Sequence, residues 1–321
     1  NRFSFDQRPV AVYIRPGVYH PRLVMVDASG FYTFSNTLTV RVTGIAAEYD
    51  GLPYLALERV GEILSVEERV RDAQGIPVVF DGETEIMQDP PLLSYMSPDT
   101  FIARKGGFSR VSLIKGPHRY VFYLFVSPFP ARLSVEPEYD WYKTQFDTGM
   151  YGNCGPASAA SAIKWANGTD LTVERVREEI GMPYENGAVD YGNLRENMKR
   201  HGVDADIRRI TTADDVTTVI DEQGIVIVSF NCGVVTPATG PEETDFVGRY
   251  YPDATGHYLL IKGYTVDRQF FVVYDAIPGD WAENRLRYAD GVSQIGRNRF
   301  FSIREVMSSI RGRDMLAVYR E

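Results

Sequence analysis

The chain has 321 residues, 44% of them hydrophobic and 24% charged, with a formal charge of −9. These proportions suit a globular protein able to bury a sizeable core, and the length suits two ordinary domains. The acidic balance argues against nucleic acid as the main partner, since phosphate binding needs a basic surface. No apolar run approaches the ~20 residues of a membrane-spanning helix, so no transmembrane segment is expected.

Residues 1–137 read as an all-β, sandwich-like domain. Short runs rich in branched and aromatic residues recur at 10–14, 23–26, 38–42, 100–103, 111–114, 120–126 and 131–135. Turn residues such as Asp27-Ala28-Ser29-Gly30 and Ser127-Pro128-Phe129-Pro130 separate them. Leu38, Val40 and Val42 alternate with polar neighbours, as in a half-buried strand. One helix is expected near 62–71. Tyr120, Phe122, Tyr123 and Phe125 read as core, because aromatics two apart on a strand share a face. Such a domain would take a glycan or a protein as its ligand, a choice its sequence leaves open.

Residues 138–321 read as α+β. Helices are expected across 157–163, then 171–180 stopped by Gly181, then 194–201 stopped by Gly202. Thr212 and Asp215 form a capping box before a helix that runs to Gln223. Gly224 leads into a buried strand at 225–230, and strands at 257–264 and 270–275 flank a polar turn. Ser302 and Glu305 cap a last helix before a strand at 315–319.

Only two cysteines, Cys154 and Cys232, and four histidines are present. They allow one bridge at most, no disulfide framework and no zinc-type spacing, and no cofactor is expected. Thiol chemistry needs a thiolate, and Cys154 opens a helix in Asn153-Cys154-Gly155-Pro156-Ala157-Ser158. Pro suits a first turn, and the positive end of the helix dipole favours the anion. A hairpin centred on Val266 would set His257 directly opposite Asp275, on one face. A slip of one residue would separate them.

In that arrangement His257 serves as base and later as acid, with Asp275 as its orienter. Gln145, nine residues before the nucleophile, would join the Cys154 N–H in an oxyanion hole. Singly, these are a buried thiol, a strand-edge histidine, a turn former and a surface amide. Jointly they fill every role of the chemistry.

The segment from Gln145 to Ser158, with Gly256-His257-Tyr258 and Val273-Tyr274-Asp275, resembles the bacteriocin-processing-type cysteine peptidases, family thirty-nine of the papain-like superfamily. The resemblance covers roughly 138–319 and implies a papain-like α+β fold in a bacterial protein. It also implies Cys154 as nucleophile, His257 as base, Asp275 as orienter and Gln145 as oxyanion donor, acting on a peptide or protein without a cofactor. The local signature differs from papain's own Cys-Gly-Ser-Cys-Trp.

The expected activity is therefore a thiol-dependent peptidase or amidase working through an acyl-enzyme. The alternatives are a transglutaminase-like acyl transferase and an inactive binding or adhesion protein on the same fold. Asn1 is not an initiator methionine, and the expected setting is secreted or cell-envelope with a leader removed, the cytoplasm being the alternative.

Four other features have plainer readings. Cys232 is expected to be a structural thiol, against a redox partner of Cys154 or a cleft-lining residue. His201 caps a helix end, where a cation suits the dipole, while His20 and His118 fall in loops. Gly106 to Arg110 lacks the spacing of a serine-hydrolase elbow. The polar stretch 236–255 would either close over the cleft or simply connect.

Overall fold

The structure is a computed structural model. It describes residues 54–66, 80–81, 84–97, 99–115, 118–137, 139–145, 152–182, 189–241, 244–251, 256–277 and 287–320. It also gives the backbone of five short strands: β1 (Gly17–Tyr19), β2 (Val24–Val26), β3 (Tyr32–Phe34), β4 (Val40–Val42) and β5 (Ala47–Glu48). The run at 10–14 and His20 lie outside the described residues.

Seven strands follow: β6 (Tyr54–Leu57), β7 (Ile63–Ser65), β8 (Glu85–Asp89), β9 (Leu93–Ser97), β10 (Thr100–Ala103), β11 (Gly107–Lys115) and β12 (His118–Val126). The helix expected near 62–71 gives way, in its described part, to β7. There Leu64 is buried between two exposed neighbours, the period of a strand and not of a helix. His118 opens β12 and does not lie in a loop.

A five-stranded sheet, ordered β5-β12-β11-β8 with β6 also on β12, and a three-stranded sheet, β7-β10-β9, share one core. The strand period of two divides the aromatic run of β12. Tyr120 and Phe122 enter that core, while Phe125 joins a second cluster on the opposite face, against which Tyr123 packs.

The second cluster also holds Val272, Tyr288, Ile295 and Phe300 from the C-terminal part, so both parts of the chain contribute to one apolar contact. Phe108 and Phe246 stack on Tyr288, each with centroids 4.7 Å away. Such ring pairs add about 0.5–1.5 kcal/mol beyond their buried area.

The C-terminal part comprises β13 (Ala131–Leu133), α1 (Cys154–Asn167), α2 (Val173–Ile180), α3 (Tyr191–Arg200), β14 (Ala205–Arg209), α4 (Ala213–Asp221), β15 (Ile225–Phe230), β16 (His257–Thr265), β17 (Phe270–Asp275), β18 (Arg299–Ser302), α5 (Ile303–Ser309) and β19 (Ile310–Val318). Its seven-stranded sheet runs β14-β19-β15-β16-β17-β18, with β13 also pairing β16.

The sheet is buried on both faces, and alternate residues of each strand serve different cores. Ile225 and Ile227 face α1, α2 and α3, whereas Val226, Val228 and Phe230 face α4 and α5. Among the described residues no helix is long and apolar enough to cross a membrane.

Local signals account for the helix ends. Thr172 and Asp190 accept the N–H groups of Arg175 and Asn193, and the Thr212–Asp215 capping box forms. Helix α1 is amphipathic only weakly because it is central. Ala157, Ala159, Ala160, Ala162, Ile163 and Trp165 are all buried, and the alanines allow close approach to neighbours on several sides. Burying Ile163 alone is worth about 1.5–3 kcal/mol.

The β16–β17 hairpin departs from the expected register. Asp275 is opposite Leu259, not His257, and the pairing shifts between Ile261 and Gly263. Lys262 is the extra residue of this bulge. Gly263 pairs Val272 before the bulge, and continuing that register would set Asp275 against Leu260. The bulge moves it by one, so Asp275 shares a face with Leu259 and hence with His257, two residues along.

Candidate active site

Cys154 is the first residue of α1, so its sulfur sits at the positive end of a 14-residue helix. The preceding Asn153 does not cap that helix with its side chain. Instead its Nδ2 donates to the Gln145 carbonyl at 3.3 Å, and its Oδ1 accepts from the buried Arg177. The Gln145 N–H in turn donates to the Ala276 carbonyl at 2.8 Å. Gln145, itself buried, is thereby tied to the residues flanking both Cys154 and Asp275.

His257 opens β16, 3% exposed, and its Nε2 lies 2.8 Å from Asp275 Oδ1. That leaves Nδ1 for the side-chain hydrogen bond between His257 and the partly exposed Cys154. Cys154, His257 and Asp275 therefore form one contiguous group, with α1 supplying one member and the hairpin two.

The electrostatics follow from the geometry. Burial alone would raise the Cys154 thiol. The hydrogen bond and charge of His257, with the backbone N–H groups of Tyr258 and Gly155, outweigh it and hold the thiol below its ordinary value. Burial likewise opposes the His257 imidazolium, but Asp275, by charge and hydrogen bond, and then Cys154 hold it well above the usual imidazole range. Both shifts run in the direction that favours a thiolate beside an imidazolium over the neutral pair.

Asp275 is held on every side. Oδ1 also accepts the Ile277 N–H at 3.0 Å, and Oδ2 accepts the Tyr251 hydroxyl at 2.9 Å. Its backbone N–H donates to the Gly296 carbonyl, and its own carbonyl accepts the Tyr142 hydroxyl at 2.5 Å. Gly296 is confined here. A Cβ on it would fall 2.1 Å from the Asp275 carbonyl oxygen and 2.3 Å from the Tyr142 hydroxyl.

Tyr251 and Asn153 were not singled out in the sequence. The one available signal for Tyr251 was an aromatic pair, Tyr250-Tyr251, inside the polar stretch 236–255. The described parts of that stretch are pinned down and do not form a free lid. Arg299 donates to the carbonyls of Asp245, Val247 and Gly248, and Arg249 to those of Val235 and Tyr251. Burial, then the Asp275 charge, push the Tyr251 phenol well above its ordinary value, so it acts as a donor.

Cys232 is fully buried, in a short 3-10 turn beside Tyr251. Burial pushes its thiol up, opposite to Cys154, and both cysteines are free. His201 ends α3 and pairs with Glu179 at 2.6 Å, away from this group. Ser109 donates to the Pro90 carbonyl and has a structural part. An open cavity of about 310 Å³ lies elsewhere, between the start of α4 and α5, with Ile210, Met307 and Ile310 in its wall.

No family model matches the chain, and no curated protein matches it. Solved structures similar to it include three cysteine peptidases. A C39-like peptidase from Bacillus anthracis shares 13% identity over 56% of this chain and 94% of its own, at TM-score 0.35. A double glycine motif protease from an AMS/PCAT transporter, in complex with the leader peptide, shares 14% over 58% and 94%, at 0.34. Xylellain, a cysteine protease from Xylella fastidiosa, shares 12% over 60% and 86%, at 0.29. These cysteine peptidases are of the kind the sequence resembles.

Proposed function

We propose that this chain is a thiol-dependent hydrolase, a peptidase or amidase, with residues 138–321, joined in their sheet by β13 (Ala131–Leu133), as a papain-like catalytic domain and the rest of 1–137 as a β accessory domain. The observation that carries the reading is the Cys154–His257–Asp275 chain of contacts, with His257 and Asp275 buried, the thiol held down and the imidazole held up. The same pattern of perturbed groups at a helix N-terminus is what nucleophilic catalysis requires.

In this reading the Cys154 thiolate attacks the carbonyl carbon of a peptide or protein amide. The oxyanion is met by the Cys154 N–H and the Gln145 side-chain amide, a donor worth about 3 kcal/mol. His257 gives its Nδ1 proton to the leaving amine, the C–N bond breaks, and an acyl-thioester remains. His257 then takes a proton from water, whose oxygen attacks the thioester, releasing the acid and restoring the thiol. Asp275 keeps Nε2 protonated and the ring aimed, and it stabilises the imidazolium.

The test is a peptide-library cleavage screen of the intact chain against Cys154→Ala. Cleavage that disappears in the variant supports the proposal. Equal cleavage by both overturns it, and transfer to an added amine in place of hydrolysis would move the assignment to an acyl transferase.

A further inference from the structure

A second reactive cluster lies within the C-terminal part, apart from the thiol and independent of the hydrolase reading. Lys262, the bulge residue of β16, is completely buried. Its Nζ lies 2.8 Å from Oδ1 of Asn298, which is also completely buried. The same Nζ contacts Oε1 of Glu136, whose other oxygen accepts the Trp141 indole N–H at 2.8 Å. The Tyr274 and Trp141 rings cover the amine, with centroids at 4.6 and 5.4 Å. Asn298 Nδ2 donates to the Tyr54 hydroxyl at 3.0 Å.

An ammonium taken this far from water is costly, and a lysine in such a place tends to the neutral amine. Burial, and secondarily the charge of Arg297, push Lys262 well below its ordinary range. The contact with Glu136 is compatible with this, because in a dry site the pair is equally described as an amine beside a carboxylic acid sharing one proton. A neutral amine is a nucleophile, and the Asn298 amide carbon lies one covalent bond beyond the oxygen it already touches. The Nζ–Cγ separation is therefore at most about 4 Å, the 2.8 Å contact plus one C=O bond.

We propose that Lys262 and Asn298 are joined by an intramolecular isopeptide bond formed by the protein itself, with Glu136 as the proton shuttle. Nζ attacks Cγ of Asn298, and the carboxylic acid of Glu136 protonates the developing oxyanion. The Cγ–Nδ2 bond then breaks. The proton lost by Nζ passes through Glu136 to the departing nitrogen, which leaves as ammonia, and the hydroxyl proton returns to Glu136 as the C=O bond reforms. No oxidant or cofactor enters, and water is excluded by Trp141, Tyr274 and Tyr54. The bond would tie β16 to the residue before β18, across β17, locking the bulge that sets the register of His257 and Asp275.

Intact-mass spectrometry of the denatured full chain tests this. The expected mass is one ammonia below that of the sequence, and digestion should yield a branched peptide joining Lys262 to Asn298. Lys262→Arg and Asn298→Ala should have the full masses of their sequences, and so should a folded Glu136→Gln. A wild-type chain of full sequence mass overturns the proposal without recourse to any variant. Ammonia loss with Lys262 and Asn298 in separate linear peptides, as from an asparagine closed to a succinimide, overturns it as well. A branched peptide in Glu136→Gln would overturn the shuttle role.

Discussion

Replacing Gly296 by alanine should damage turnover far more than stability. The added Cβ would lie 2.1 Å from the Asp275 carbonyl oxygen, 2.3 Å from the Tyr142 hydroxyl and 2.6 Å from the Tyr250 hydroxyl. Ordinary contacts are ~3.5 Å or more, so the neighbours must retreat by about 1 Å. None of them is a flexible chain end. One is backbone, and two are ring tips, of buried Tyr142 and half-buried Tyr250, hydrogen-bonded to the Asp275 and Ile277 carbonyls. Overpacking of this kind costs about 1–3 kcal/mol, which a domain of ordinary stability survives.

A displacement of ~1 Å in a residue that aims the base is worth about 10²-fold in rate. We therefore expect Gly296→Ala to fold, with kcat/KM on a peptide from the cleavage screen reduced by about that factor. Leu113→Ala, in the β11–β12 core far from the site, serves as control. It should lose about 2–5 kcal/mol and keep its turnover below its transition temperature. Unchanged kcat/KM in Gly296→Ala, or an equal fall in Leu113→Ala, would refute the positioning argument.

The thiol and imidazole shifts predict a pH window. Iodoacetamide should alkylate Cys154, and not the buried Cys232, at pH below the ~8.5 of a free cysteine, and His257→Ala should abolish that preference. In kcat/KM, activity rises as pH passes the lowered thiol value and falls as it passes the raised imidazole value. Stability follows the same signs: the Cys154 contribution is lost as pH falls through its folded value, and the His257 contribution, complete below ~6.5, is lost as pH rises through its own. Tyr251→Phe removes only the hydroxyl on Asp275, a bond of about 1.5–3 kcal/mol, so Tm and kcat/KM should both fall; no change in either would remove Tyr251 from the support of Asp275. Arg299→Met strips the donors from three carbonyls, at about 1–3 kcal/mol for each one left unsatisfied, and limited proteolysis should then cut within 236–251; resistance equal to wild type would contradict the pinning.

What the sequence determined by itself was local. Glycine stops marked the ends of the helices expected at 171–180 and 194–201, observed at 173–180 and 191–200, and a capping box marked the start of the one at 213–221, because a helix end is decided by the few residues around it. The small residues after Cys154 announced a central helix, and chain order put a histidine and an aspartate at the ends of two neighbouring strands.

Tertiary structure decided the register. A β-bulge at Lys262 answers to packing under Trp141, Tyr274 and Asn298, groups distant along the chain, and nothing in the strand itself signals it. The hairpin centre near Val266 was misplaced at the turn itself, where Gly263 pairs Val272, and the bulge then moved the register by one. His257 and Asp275 still meet because Asp275 pairs two residues further along β16 than expected, and an even displacement preserves the face. The supports of the site were equally invisible in one dimension. Tyr251 on Asp275 and Asn153 on Gln145 are contacts between segments that only folding brings together, and no local pattern encodes which buried hydroxyl or amide will satisfy which partner.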